Sequence, residues 1–214
     1  DWAKYLDQIE HMDSNVGMIF KELEEKGMAD NTIVIFIGDN GRCNIKGKGY
    51  LYDPGLRIPL IIYYPKKFKG GQTRDDIVMA TDITASILEF ADIEIPEFMT
   101  GRSMFSENFH RDYVYGARDL WDEIKEKSRA VVTEEWSYIR NDMPRKPKEE
   151  LYNLKQDPYQ LFNLADDPKY TKVIEKLRKQ TQSFDRMMYS GQDYYEPVNY
   201  NGPEIIKWLK QERP

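Results

Sequence analysis

Two polar residues directly follow an apolar run in the first quarter of the chain. Asp39 and Asn40 come after Gly38, which ends the run Thr32-Ile33-Val34-Ile35-Phe36-Ile37. Carboxylate and amide oxygens are hard ligands of the kind that calcium and magnesium prefer. The pair therefore predicts part of a metal site.

The segment that follows, from Gly41 to Pro59, is basic and rich in glycine. Its cations are Arg42, Lys46, Lys48 and Arg57, and its glycines are Gly41, Gly47, Gly49 and Gly55. Glycine lets the backbone approach a ligand closely. A metal ion beside several cations suggests a substrate with an anionic group.

The elements around this segment agree with an active-site loop. The run 32–37 shows no alternation, which favours a strand covered on both faces, as in a parallel sheet between helices. In open α/β sheets, ligands bind beyond the carboxyl ends of the strands, where Asp39 and Asn40 fall. Asp-Asn-Gly is also good turn chemistry and Asn-Gly a hairpin signal. However, the next apolar run begins only at Leu60, which suits a functional loop better than a hairpin.

Hydrophobic periodicity predicts the remaining elements. We expect a helix over 3–27 that stops at Gly27, a second strand over 59–64 and a surface loop over 66–74. A helix over 82–91 should be capped by Thr81 or Asp82 and turn its apolar side chains inward, namely Ile83, Ile87, Leu88 and Phe90. Short apolar runs then predict a small antiparallel sheet, with strands at 113–115, 130–132, 136–139 and 151–154. A long helix over 169–188 should begin after Asp167-Pro168, and the tail after Ser190 should be extended.

This order of elements predicts the domain organisation. Residues 1–108 should form an α/β core, residues 109–190 a small antiparallel-sheet subdomain with the long helix, and residues 191–214 an extended tail. A chain of 214 residues with 40% hydrophobic content can bury one substantial core with a smaller appended subdomain.

Composition excludes several classes of protein. No apolar stretch approaches the ~20 residues of a membrane span. The net charge of −6 argues against nucleic acid as the main partner, although local cations can still bind an anionic substrate. The single cysteine, Cys43, excludes an internal disulfide framework.

The segment Lys48-Gly49-Tyr50-Leu51-Tyr52-Asp53-Pro54-Gly55-Leu56-Arg57-Ile58-Pro59 resembles a pattern of the sulfatases, within the alkaline-phosphatase-like superfamily. In that pattern, Lys-x-x-x-Tyr-Glu-Gly-Gly-x-Arg-x-Pro follows a strand that ends in Asp-Asn-Gly. This chain departs from it at Asp53 and Pro54. Further similar segments are 13–17, 23–32, 150–154, 157–158 and 163–165, so the resemblance covers most of residues 1–180.

The resemblance implies an α/β fold, the C-terminal part of an alkaline-phosphatase-like sulfatase with a small α+β subdomain. It implies a calcium-dependent sulfatase that hydrolyses sulfate esters or sulfamates, on glycans above all. Asp39 and Asn40 would ligate the calcium ion. Lys48 would be the catalytic and sulfate-binding residue, because its ammonium group stabilises charge on the bridging atom as the bond to sulfur breaks.

The resemblance also implies a partner outside the chain. Sulfatases carry a Cys or Ser that is oxidised to formylglycine, followed by Pro and Arg at a fixed spacing, and Cys43 lacks both. We therefore expect the nucleophile in a missing N-terminal part of the same polypeptide, and no activity from this chain alone. Formylglycine formation further implies a periplasmic, secreted or lysosomal location.

Substrate contacts beyond the sulfate are expected from Arg118 and Trp121. The run Arg118-Asp119-Leu120-Trp121-Asp122 has the cation, carboxylate and aromatic mixture of sugar-binding sites, and it is equally compatible with a salt-bridged surface turn. Sulfated glycans, including N-sulfated glucosamine, and small aryl sulfates all fit this composition.

Two alternatives remain at this point. A zinc-dependent phosphatase or phosphodiesterase of the same superfamily would usually place Asp-His where this chain has Asp39-Asn40, and imidazole suits zinc better than an amide does. A non-catalytic carbohydrate-binding module would bind calcium and sulfated sugar without turnover.

Overall fold

The computed structural model describes residues 2–43, 45–121, 124–142 and 148–189. By its contacts the chain divides into two compact units: residues 1–41 with 57–75, and residues 42–56 with 76–214. The predicted domain boundary at residue 108 stays a prediction, and the predicted tail 191–214 lies outside the described residues. None of the helices in the described ranges combines the length and apolar character needed to cross a bilayer.

The first unit begins with the long helix α1, Trp2–Glu25, as predicted. Gly27, two residues after the last helical residue, has a φ of 65°, which lies in the left-handed region. The Gly27 amide donates to the Glu24 carbonyl at 2.9 Å and the Met28 amide donates to the Leu23 carbonyl at 2.8 Å. This pair of bonds is the Schellman ending, which favours glycine because glycine has no Cβ to clash.

Two strands complete the first unit, β1, Val34–Ile37, and β2, Leu60–Tyr63. They pair antiparallel, with Val34 opposite Tyr63 and Ile37 opposite Leu60. The expectation of a parallel arrangement is therefore wrong for this pair. A continuous apolar run indicates a strand with apolar surroundings, but it carries no information about the direction of the partner strand.

Helix α1 packs beside these strands without burying any of its residues. The ring of Phe20 meets that of Tyr63 edge to face, with centroids 5.0 Å apart. Between helix and strands lies a groove with a volume of about 940 Å³, lined mostly by apolar side chains that include Ile9, Val16, Ile19, Val34, Phe36 and Ile61. Ile61 is 62% exposed. The first unit therefore presents a broad apolar surface.

The second unit is built on a four-stranded antiparallel sheet, as predicted. Its strands lie in the order β3-β4-β5-β6 and span Tyr113–Trp121, Ile124–Thr133, Trp136–Asp142 and Glu149–Asn153. Each strand pairs with its sequence neighbour, so the sheet is a simple meander.

Neighbouring residues on a strand point to opposite sides of the sheet. Buried side chains lie on both of its faces. One face carries Val131, Tyr138 and Leu151, which form a buried cluster with Ile174 and Leu177. The last two belong to the long helix α4, Thr171–Tyr189. The predicted start signal is confirmed: the Asp167 carboxylate accepts a hydrogen bond from the Lys169 amide in the short 3-10 turn that precedes α4.

The opposite face carries Ala130, Ile139 and Tyr152, which form a second buried cluster with Leu51. Leu51 belongs to residues 42–56, the part of the basic segment that lies in the second unit and to which the name is restricted from here on. This part ends in the short helix α2, Asp53–Leu56. The sheet is thus enclosed by a helix on one side and by the basic segment on the other.

The second unit also contains helix α3, Ala80–Phe90, which begins earlier than predicted. Its N-cap is Met79, so neither Thr81 nor Asp82 caps it as predicted. Asp82 lies in the first turn, where its buried carboxylate accepts hydrogen bonds from the Met79 amide at 2.8 Å and the Arg102 amide at 2.9 Å. The guanidinium of Arg111 pairs with the same carboxylate. Ile87, predicted to face inward, is 43% exposed, because the paired Asp82 takes part of the buried face.

Charged contacts fasten α4 to the sheet. The Arg178 guanidinium donates two hydrogen bonds to Glu149 of β6, at 2.6 and 2.7 Å. The hydroxyl of Tyr138 donates to the same carboxylate. The bonds from Arg178 hold the pKa of the Glu149 carboxyl below its usual range. The pair therefore stabilises the fold fully above the ordinary carboxyl pKa, and this contribution is lost as pH falls through the lowered value.

We expect Arg178→Met to lower the free energy of unfolding near neutral pH and to lose much of this effect in acid. The difference between wild type and variant should be constant above about pH 5 and shrink at lower pH. Urea unfolding at pH 7 and pH 3 measures it. Lys172→Met, an exposed change on the same helix, is the control, and an Arg178→Met effect that is equal at both pH values would contradict the assignment.

Candidate functional site

Backbone hydrogen bonds within the basic segment 42–56 form turns on both sides of Lys48. The Lys48 amide donates to the Arg42 carbonyl at 2.9 Å and the Tyr50 amide donates to the Gly47 carbonyl at 3.0 Å. Gly49 lies between these bonds with a φ of 84°, a conformation that glycine adopts readily. The exposed side chain of Lys48 thus extends from a backbone that is hydrogen-bonded on both sides.

Close packing within the segment depends on Gly55. A Cβ at this position would lie 2.3 Å from the Tyr50 carbonyl oxygen and 2.5 Å from that of Gly47. Both atoms belong to the turn that carries Lys48. Helix α2 begins at Asp53 and Pro54, where the sequence departs from the sulfatase pattern, and it keeps Gly55 at the close approach.

A second lysine anchors the segment. Lys46 is partly buried, and its ammonium group donates a hydrogen bond to the carbonyl oxygen of Gln160. The same nitrogen lies 4.6 Å from the ring centroid of Tyr52 and 5.3 Å from that of Tyr152. These distances are those of cation–π contacts. The ammonium group of Lys46 therefore contacts other residues of the second unit, whereas Lys48 is exposed to solvent.

Beneath the segment lies a buried carboxylate. Glu150 of β6 is only 4% exposed. One of its oxygens accepts hydrogen bonds from the hydroxyls of Tyr52 at 2.8 Å and Tyr152 at 2.6 Å, and the other accepts one from the side-chain nitrogen of Asn141 at 2.6 Å. Burial, and next the hydrogen bond to Glu150, raises the pKa of both tyrosines. They therefore stay protonated and keep donating to the carboxylate.

Arg118 of β3 lies beside the same segment. The centre of its guanidinium is 5.4 Å from the ring centroid of Tyr50. Arg118, Tyr50 and Glu150 help to line a cavity of about 10 Å³, which has room for about one water molecule. The structure thus brings Arg118 to the turn that carries Lys48, and its contact with substrate stays a prediction. The side chain of Trp121 lies outside the described part of the chain.

Asp39 and Asn40 form a turn after β1. The Asn40 amide donates to the Asp39 carboxylate at 2.9 Å, and the Asn40 side chain donates to the Gly41 carbonyl at 2.6 Å. Asp39 is exposed and Asn40 partly buried. They belong to the first unit, whereas Lys48 and Arg118 belong to the second.

The oxygen donors of this turn fit part of a calcium site. Calcium takes six to eight oxygen ligands, and one carboxylate with one amide oxygen supplies only some of them. Among the described residues, no group of three or more His, Cys, Asp or Glu side chains is placed to hold a metal ion. Asp39 and Asn40 as metal ligands therefore stay a prediction.

Sequence reasoning missed the residues that hold the basic segment in place, namely Glu150 and Gln160. Glu150 stands in the recognised signature Glu150-Leu151-Tyr152-Asn153-Leu154, and Gln160 follows Asp157-Pro158. A carboxylate within an apolar strand is a signal that it must have partners. The partners themselves are distant in sequence, since Tyr52 and Glu150 are 98 positions apart.

Comparisons with known proteins define the class to which this arrangement belongs. The chain is 28% identical over 221 residues to an ulvan-active sulfatase of Formosa agariphila, covering 84% of this chain and 37% of that protein. It is 30% identical over 189 residues to an arylsulfatase of Clostridium perfringens, covering 83% and 38% respectively. The chain thus spans about two fifths of the length of these relatives.

Solved structures agree on the fold. One is the structure of a protein in complex with its substrate, D-glucosamine-2-N,6-O-disulfate. It superposes on this chain with a TM-score of 0.73 at 24% identity, covering 86% of this chain and 40% of that protein's chain. The fold and the resemblance to sulfatases of the alkaline-phosphatase-like superfamily are therefore confirmed.

Residues 41–187 match the family model described as "N-sulphoglucosamine sulphohydrolase, C-terminal". The chain belongs to this family. The match includes residues 42–56 of the basic segment and all four strands of the sheet.

Gly55→Ala should loosen the turn that carries Lys48, because backbone atoms of Gly47 and Tyr50 must move to admit the methyl group. We expect hydrogen exchange at the Lys48 and Tyr50 amides to rise about tenfold or more, as for an opening that is ~1.4 kcal/mol easier. Gly70→Ala is the matched control, since nothing lies within 4 Å of its added Cβ. Equal exchange in the two variants would refute the packing role of Gly55.

Proposed function

We propose that this chain supplies the sulfate-binding side of a sulfatase active site. The complete protein would hydrolyse a sulfate ester or sulfamate on a glycan. The observation that carries the proposal is Lys48, an exposed ammonium group on a hydrogen-bonded turn at the start of the pattern that resembles sulfatases. Membership of the family supports it.

The chemistry assigned to Lys48 follows from its charge. Its ammonium group would donate a hydrogen bond to an oxygen of the sulfate group. As the bond between sulfur and the leaving oxygen or nitrogen breaks, negative charge grows on the bridging atom, and a nearby cation stabilises that charge. A turn that is already ordered makes this stabilisation larger, since little reorganisation is needed when the charge appears.

The proposal is completed by a calcium ion and by a nucleophile from outside this chain. Asp39 and Asn40 would hold a calcium ion, which when bound would neutralise sulfate charge. The nucleophile would be a formylglycine in the N-terminal part of the same polypeptide. That part would also cover the apolar groove of the first unit. A formylglycine enzyme would be periplasmic, secreted or lysosomal.

Glycan sulfates are the proposed substrate class. One relative is named for activity on ulvan, and the family is named for N-sulphoglucosamine. Arg118, beside Tyr50, would contact the sugar or a second sulfate group, together with Trp121. Comparing rates on sulfated oligosaccharides and on a small aryl sulfate would separate a glycan sulfatase from an arylsulfatase.

Lys48→Ala in the complete gene product should lower kcat/KM for a sulfated substrate by about 100-fold or more, as expected for loss of a group that stabilises transition-state charge. Most of the loss should appear in kcat. Lys69→Ala is the control, since Lys69 is an exposed lysine in the loop after β2. Sulfated-sugar binding without turnover by the unmutated protein would instead favour a binding module.

Calcium dependence is tested at Asp39. Chelation should remove activity, and calcium should restore it better than zinc does, because carboxylate and amide oxygens favour hard cations. Asp39→Asn should weaken calcium binding measured by titration calorimetry at least tenfold. Asp92→Asn makes the same chemical change at an exposed position. Calcium affinity that is equal in the two variants would exclude Asp39 as a ligand.

A further inference from the structure

Gln160 is a buried polar residue that contacts the basic segment. It is completely buried, although glutamine is usually exposed. Its φ of 54° lies in the left-handed region, which costs free energy for a residue with a side chain. Its neighbours Tyr159 and Leu161 are 69% and 65% exposed. The backbone is thus strained at Gln160, and the side chain of Gln160 points inward while those of its two neighbours are exposed.

The hydrogen bonds of Gln160 explain the inward direction. Its side-chain nitrogen donates to the hydroxyl of Ser137 on β5, at 2.9 Å. Its side-chain oxygen accepts the amide of Asp53, at 2.7 Å. Its backbone carbonyl accepts the ammonium group of Lys46. One residue therefore joins the sheet to the basic segment at two points.

These two points lie on either side of Lys48 in the sequence. Lys46 precedes it by two residues and Asp53 begins α2 after it. The hydrogen bonds of the turn itself lie between these points, at Lys48 and Tyr50. A turn held at both ends and closed in the middle has few conformations left. The direction in which Lys48 leaves the surface then depends on the contacts of Gln160.

We propose that Gln160 is a positioning residue that sets the orientation of Lys48. Lys48 contacts the substrate, and Gln160 does not. For its catalytic consequence this proposal depends on the proposed function above. The structural part does not depend on it, since Gln160 would restrain the turn whatever Lys48 binds. Neither the family match nor the sulfatase pattern assigns a role to this glutamine.

The test uses the complete gene product with Gln160→Leu, which keeps the side-chain volume and removes both side-chain hydrogen bonds. Hydrogen exchange at the Lys48 and Tyr50 amides should rise about tenfold or more, while exchange at Val131 and Tyr138 in the buried cluster stays unchanged. With a sulfated substrate, kcat should fall about 10- to 100-fold, because a small misplacement of a catalytic group is costly. Leu161→Ala, an exposed change in the same turn, is the control.

Two further variants give independent readouts. Gln160→Glu keeps an acceptor for the Asp53 amide and should recover part of kcat relative to Gln160→Leu. Lys46→Met removes the other contact from a partly exposed position. If Gln160→Leu raises exchange throughout the second unit, the test of the proposal passes to Lys46→Met. In that variant, faster exchange confined to residues 46–53 supports the proposal, and unchanged exchange overturns it.

The outcomes also separate this proposal from the proposed function. Unchanged exchange at Lys48 and Tyr50 in Gln160→Leu overturns the positioning role. Faster exchange with unchanged kcat overturns it as well, provided that Lys48→Ala is inactive. If Lys48→Ala retains full activity, the role proposed for Lys48 fails, and the exchange data then show only whether Gln160 restrains the turn.

Discussion

The second unit depends on a buried negative charge that must be fully hydrogen-bonded. An isolated carboxylate inside a protein is very costly, and removing a partner leaves that cost uncompensated. Glu150 meets this constraint with two tyrosine hydroxyls and one amide, and one of these tyrosines comes from the basic segment. The other two donors, Asn141 and Tyr152, lie on the sheet itself. The segment that carries Lys48 is therefore a structural part of the unit, although it is loop-like in sequence.

The two faces of the sheet are covered by different kinds of interaction. On the α4 side, ion pairs surround the apolar cluster: Arg129 pairs with both Asp119 and Asp185, and Arg178 pairs with Glu149. On the other side, Glu150 accepts hydrogen bonds from neutral donors, and Lys46 lies over two aromatic rings. The carboxylates of Glu149 and Asp185, which pair with arginines, therefore belong to the α4 side of the sheet.

Local patterns in the sequence predicted what local physics determines. Helices α1 and α4 and the four-stranded sheet follow from the periodicity of their apolar residues and from the residues at their ends. The direction of the β1–β2 pair, the N-cap of α3 and the exposure of Ile87 depend on partners elsewhere in the chain, and these predictions were wrong. The basic segment was found through its chemistry and its resemblance to a family pattern. Its supports were not, because Lys46 and Gln160 are 114 positions apart, and no local pattern records such a pairing.

The contact between Lys46 and Gln160 has a consequence for how this family can diversify. The turn, the strand that carries Glu150 and the strained turn at Gln160 form one construction from three separate stretches of sequence. A change of residue in one stretch alters the demands on the other two, so substitutions there should be accepted in linked sets. Exchange of the basic segment alone between two relatives would bring in side chains that have lost their partners. A working chimera would have to carry all three stretches together.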